Sequence, residues 1–133
     1  MSFALDRAAF GAWLEGYKQA WEARDPARAA ALFTPDATYS ETPFDLPLEG
    51  QAAIADYWAK AVAGQANVAF TYEILACAGN EGLCRWHAAF TGVPGGEAID
   101  LDGIFRCRFD DACVALVDRF EEWWHIRVVP SGG

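Results

Sequence analysis

The apolar positions of the chain change period near its midpoint. Phe10, Trp13, Leu14, Tyr17 and Trp21 recur at three- and four-residue steps, which draws one aromatic stripe along a long helix. Leu5 and Asp6 ahead of Phe10 read as a hydrophobic staple around an N-cap. Asp25-Pro26 is a cap followed by a first-turn proline, so a second, shorter helix is expected to run to about Phe33. Thr34-Pro35-Asp36 should break it. Residues Ala37 to Phe44 are β-like, with Ala37, Tyr39 and Glu41 on one face, and Pro43 to Gly50 reads as a loop. Gly50 to Ala63 predicts a third helix, with Ile54, Tyr57, Trp58, Ala61 and Val62 as its apolar face and Gly64 as its stop.

Beyond that point the period falls to two. Asn67–Ala78, Leu83–Thr91, Ile99–Phe109 and Cys113–Val128 read as strands joined by turns at residues 79–82, 92–96 and 110–111. Helices followed by a meander of hairpins predict an α+β fold: three N-terminal helices packed on a curved, mostly antiparallel sheet. Residues 1–133 are expected to form one domain with a short tail at 130–133.

Composition narrows the classes. The chain has 133 residues, enough to bury roughly two-thirds of its unfolded surface. Six Trp, nine Phe and four Tyr make it too apolar for disorder. Nineteen acids against ten bases give a net charge of -9, which makes nucleic acid and anionic membrane surfaces poor partners. No run of about 18 apolar residues occurs, and Asp6 and Arg7 interrupt any early secretory segment. A cytoplasmic location is expected. The cysteines at 77, 84, 107 and 113 form no CxxC pair; they are read as reduced, buried small hydrophobes, with no metal and no cofactor called for.

The stretch Ala31-Leu32-Phe33-Thr34-Pro35-Asp36-Ala37-Thr38-Tyr39, then Pro43, then Gly50-Gln51-Ala52-Ala53-Ile54-Ala55-Asp56-Tyr57-Trp58 resembles the nuclear transport factor 2-like superfamily and, within it, the SnoaL-like small proteins. The order of elements resembles that superfamily over nearly the whole chain. The resemblance implies a cone-shaped α+β fold that hosts isomerases, dehydratases, cyclases, epoxide hydrolases and non-enzymes. It also implies a homodimer through the outer sheet face. Against the bacterial steroid isomerases of this fold, Tyr17 is similar in register to a catalytic Tyr. Glu41 falls in the slot of the carboxylate base, and Trp58 stands where a second Tyr would be. The slot of the protonated acid falls at Phe105, and Asp102 points to the opposite face unless Gly103 makes a bulge.

Glu41 is therefore the first candidate for chemistry: either it faces the pocket, where a desolvated carboxylate can shuttle a proton, or it sits exposed at a fraying strand end. Tyr17 is either an oxyanion donor or a core residue of the stripe. On the last strand, Asp118 and Glu122 interrupt the face of Val114, Leu116, Phe120, Trp124 and Ile126. SnoaL-like cyclases place an acid on a late strand, which Asp118 could imitate; it could equally pair with Arg106 or Arg108. His125 suits proton transfer or an interface position. His87 falls on the outer face, which disfavours a two-histidine dehydratase site. An epoxide-hydrolase relay built on Asp100, Asp102 and Arg106 is disfavoured because those residues face outward. Trp13, Tyr39, Trp58, Trp86, Phe90, Phe105, Phe120 and Trp124 would line the cone as an apolar small-molecule site. The expected function is a pocket protein for a small apolar ligand. Either it performs acid/base chemistry of the isomerase, dehydratase or cyclase type on a carbonyl compound, or it is a non-catalytic binding or dimerisation module.

Overall fold

A computed structural model describes residues 4–131. Helix α1, Arg7–Glu22, begins where the Asp6 side chain accepts from Ala9 N at 2.7 Å. Its stripe is buried as the spacing requires: Phe10, Trp13, Leu14, Tyr17 and Trp21 all face the sheet. Helix α2, Pro26–Ala30, is capped by Asp25 and opened by Pro26. Helix α3, Gln51–Ala63, buries Ile54, Trp58 and Val62. Gly50 caps α3 with φ at 90°, a left-handed value that suits glycine because it has no Cβ.

The strands are β1 (Phe33–Ser40), β2 (Leu48–Glu49), β3 (Gln65–Ala78), β4 (Glu81–Gly92), β5 (Ala98–Phe109) and β6 (Val117–Val129). They form one sheet in the order β2-β1-β6-β5-β4-β3. Neighbours pair antiparallel except β1 with β6, which run parallel. The helices and the mostly antiparallel curved sheet make the expected α+β cone. The tail begins with Pro130 and Ser131 outside any strand; Gly132 and Gly133 lie outside the described residues. Among the described residues, no helix is long and apolar enough to cross a membrane.

Helix α2 stops at Ala30 rather than Phe33, β1 stops at Ser40 rather than Phe44, and Leu48–Glu49 of the expected loop pairs as β2; two further differences have physical reasons. Thr34-Pro35-Asp36 does not separate a helix from a strand; it lies within β1. The pairing of β1 with β6 breaks register between Phe33 and Thr38, an irregularity in which a proline without an N–H can sit. The last strand starts at Val117, not Cys113. The Asp110 carboxylate accepts from the backbone N–H groups of Ala112 and Cys113 and holds that segment in a turn. Cys113 is accordingly exposed rather than buried, Cys77 is only half-buried, and all four cysteines are free.

The start of β6 also slips in register. Arg108 pairs with Arg119 but Phe109 pairs with Val117, so Asp118 is the extra residue of a bulge. Val117 and Phe120 then both point into the core, where unbroken alternation would have placed Asp118 and Phe120. Beyond the bulge Phe120, Glu122, Trp124 and Ile126 keep the inner face.

The narrow end of the cone is filled. Tyr17 lies 5.0 Å from Phe105 and stacks on Phe120 at 6.0 Å, while Tyr39 stacks on Phe120 at 4.5 Å. Trp13 packs edge-on against Phe33 and Phe109. Cys84 and Cys107 complete this layer, and burial pushes the Cys84 thiol up to about 12. The outer face of the sheet is charged, with ion pairs Arg85–Asp102, Arg106–Glu81 and Arg127–Asp100 and with His87 Nε2 3.2 Å from Asp100. Gly103 makes no bulge: β5 keeps register on both sides of it, and Asp102 faces outward.

Candidate functional site

The packing fails to close at the wide end, between α3 and the inner face of β4, β5 and β6. A cavity of about 200 Å³ opens there, bounded by Trp21, Tyr57, Trp58, Trp86, Phe90, Leu101, Trp124 and Ile126, with Glu41, Gln65 and Glu122 as its polar groups. Across the ladder Trp86, Gly103 and Trp124 stand in one row, and the absent side chain at Gly103 lets the strands coil closely there.

Glu122 is the chemically unusual member. It is only 6% exposed, on the inner face directly across from Phe105. Burial, then the nearby charge of Glu41, push its carboxyl well above the usual range, and a hydrogen bond from Tyr39 offsets this in part. A buried carboxyl with a carboxylate neighbour keeps its proton. The slot at Phe105 in β5 is thus apolar, yet a protonated acid arrives beside it from β6.

Glu41 follows the last residue of β1 and is half-buried at the cavity wall. The Tyr57 hydroxyl donates to it. Tyr57 is also hydrogen-bonded to Tyr39, and Tyr39 to Tyr17. Burial raises all three phenols above their ordinary value, so they stay protonated.

The sequence-predicted residues divide accordingly. Glu41, Trp58, Trp86, Phe90 and Trp124 border the cavity. Trp13, Tyr39, Phe105 and Phe120 lie behind it in the filled core. Tyr17 is also there, 2% exposed and packed behind Trp21 and Trp58 of the cavity wall at 6.0 and 5.5 Å. Asp118 lies outside the cavity, because the bulge turns it away to pair with Arg108 at 2.9 Å. His125 has odd parity and is exposed on β6; it borders an adjoining shallow groove with Glu41, Thr42, Phe44 and Trp124. Sequence reasoning passed over Glu122 and Tyr57 as site residues. The signal for Glu122 was present, since it interrupts the run of Phe120, Trp124 and Ile126. Among the described residues no cluster of ligands could hold a metal ion.

The helices and the curved, mostly antiparallel sheet define the class as an α+β cone, here with an aromatic, acid-bearing cavity. The chain belongs to the SnoaL-like domain family, whose pattern matches residues 14–117, within the nuclear transport factor 2-like superfamily. Solved structures agree on the fold. One is the epoxide hydrolase/cyclase-like enzyme SalBIII, of pyran ring formation in salinomycin: 18% identity, 92% of this chain and 98% of that one, TM-score 0.78. Another is the Δ5-3-ketosteroid isomerase of Mycobacterium sp., at 19% identity, 91% and 98% coverage and TM-score 0.75. A third is a computationally designed 17-OHP binder, at 16% identity, 90% and 98% coverage and TM-score 0.75. No curated protein sequence matches the chain.

Proposed function

We propose that this protein is an acid/base enzyme of the isomerase or cyclase type, acting with its own side chains on a small apolar carbonyl compound. The observation that carries the reading is the pair of carboxyls on one apolar cavity: Glu41 at the wall beside Tyr57, and Glu122 buried beside Tyr39. Two carboxyls in unlike surroundings, one deep in the apolar interior and one at the wall, can serve as acid and base. Glu41 takes a proton from the carbon next to the substrate carbonyl. The electron pair of that C–H bond forms a C=C bond and the carbonyl π pair moves to the oxygen; in a β,γ-unsaturated ketone this gives a dienolate. Return of the proton to the far carbon of the original double bond re-forms the C=O and gives the conjugated isomer. Tyr17, through Tyr39, holds the hydroxyl that faces Glu122 and acts by positioning. An isomerase and a cyclase-like enzyme share the fold, which supports this class of chemistry without choosing between its members.

The test uses 3-cyclohexen-1-one, whose double bond moves into conjugation on isomerisation and is followed by its ultraviolet absorbance. The wild type should accelerate this shift, and Glu41→Gln should lose about a hundredfold or more of it while still binding the ketone. Equal rates in both proteins would overturn Glu41 as base. Binding without turnover in either protein would make the chain a binding module.

A further inference from the structure

Four tryptophans are buried around the stripe and cavity, and their indole N–H groups fall into two kinds. Trp13 Nε1 donates to the Leu32 carbonyl at 2.9 Å, and Trp21 Nε1 donates to Gln65 Oε1 at 2.7 Å. Trp58 Nε1 and Trp86 Nε1 have no acceptor in the protein, though these residues are only 3% and 2% exposed. A buried indole N–H ordinarily finds a partner. Both unpaired donors belong to residues of the cavity wall. Trp58 comes from α3 and Trp86 from β4, and their rings flank Trp21 at 5.2 and 5.8 Å. The cavity wall among the described residues carries two carboxyls and no Lys, Arg or His, so it repels anions.

We propose that Trp58 and Trp86 are the hydrogen-bond donors for the oxygen of an uncharged oxygenated ring compound, a cyclic ketone, enone or lactone, bound in this cavity. The inference rests on reading the cavity as the substrate site, and it assigns the electrophilic role to the indoles in place of Tyr17. In the ground state the two N–H groups hold the carbonyl oxygen; when Glu41 removes the neighbouring proton, the same groups meet the charge that develops on that oxygen.

The test is a ¹H–¹⁵N correlation spectrum of the indole groups in the labelled wild-type protein, assigned with Trp58→Phe and Trp86→Phe. If either variant fails to fold, through-space contacts to Trp21 and Gln65 make the assignment. Addition of 2-cyclohexen-1-one should move the Trp58 and Trp86 indole protons downfield, and cyclohexene, the same ring without oxygen, should not. Each folded Trp→Phe variant should bind the enone several-fold more weakly and cyclohexene equally well. Movement of neither indole proton, equal movement with cyclohexene, or no saturable shift with 2-cyclohexen-1-one, 1-tetralone or δ-valerolactone would each overturn the proposal. Downfield movement without turnover would leave the donors standing and remove the acid/base reading. Turnover without that movement would remove the donors alone.

Discussion

Glu122 and Tyr39 meet in the interior, where a phenol from β1 supplies the hydrogen bond that a buried carboxyl of β6 lacks on its own strand. This contact makes Glu122 a thermodynamic reporter as well as a candidate acid. Its proton stays on in the folded state at pH values where the unfolded chain has lost it. The unfolded state therefore binds fewer protons, and stability falls as pH rises above the ordinary carboxyl range. Glu122→Gln removes this cost. Relative to the wild type, the variant should gain about 1.4 kcal/mol per pH unit above roughly pH 4.5, until the folded carboxyl itself ionises. Urea unfolding across that range measures the slope, and parallel stability curves would show that Glu122 ionises normally.

Removing the other partner should act in the opposite sense. In Tyr39→Phe the carboxyl loses the hydrogen bond that favours its charged form, so its proton is held more tightly still. The pH-dependent loss of stability should extend to higher pH than in the wild type. At acid pH the variant should be less stable by about 1 kcal/mol, the ordinary worth of one hydrogen bond. Unfolding curves at several pH values separate the two effects.

Asp118 offers a control for the site. It pairs with Arg108 on partly exposed side chains, away from the cavity. Asp118→Asn should leave turnover of 3-cyclohexen-1-one unchanged and should cost about 1 kcal/mol or less, as such ion pairs do. A large fall in rate with the fold intact would return Asp118 to the catalytic group.

Gly103 tests the shape of the cone. A Cβ there would overlap the Trp123 carbonyl oxygen and the Cβ of Trp124. Gly103→Ala should force the β5–β6 pairing apart, with a loss of about 1–3 kcal/mol. It should also disturb the cavity, because Trp86 and Trp124 flank Gly103. Denaturant unfolding reads the first effect, and binding of 2-cyclohexen-1-one reads the second.

The outer face is the proposed surface for self-association. Trp123 is 44% and Leu83 37% exposed, and both border one shallow groove with the Arg106–Glu81 pair. Trp123→Asp should convert a dimer to a monomer in sedimentation. A wild type that is monomeric at all accessible concentrations would remove this proposal.

Much of the architecture was legible in the order of residues because it rests on short-range physics. The stripe from Phe10 to Trp21 follows from helical geometry, Asp6 and Asp25 cap the helices as their side chains allow, and the alternation of Trp86, Ala88 and Phe90 assigns the faces of β4. Glu41 could be placed at the cavity for the same reason: it continues the register of Ala37 and Tyr39. What only the tertiary structure decided is where those local rules fail. One extra residue at the start of β6 reversed the parity of Asp118 and left Glu122 as the inward acid. That slip depends on how Asp110 turns the chain and how β6 meets both β5 and β1. The position of the cavity was decided by packing: Tyr17 has its surroundings filled by Phe105, Phe120 and Tyr39, while α3 and the inner face of β4, β5 and β6 leave a space between them. A pattern of apolar letters states which residues leave water, but a void is a property of volumes brought together from six strands and three helices.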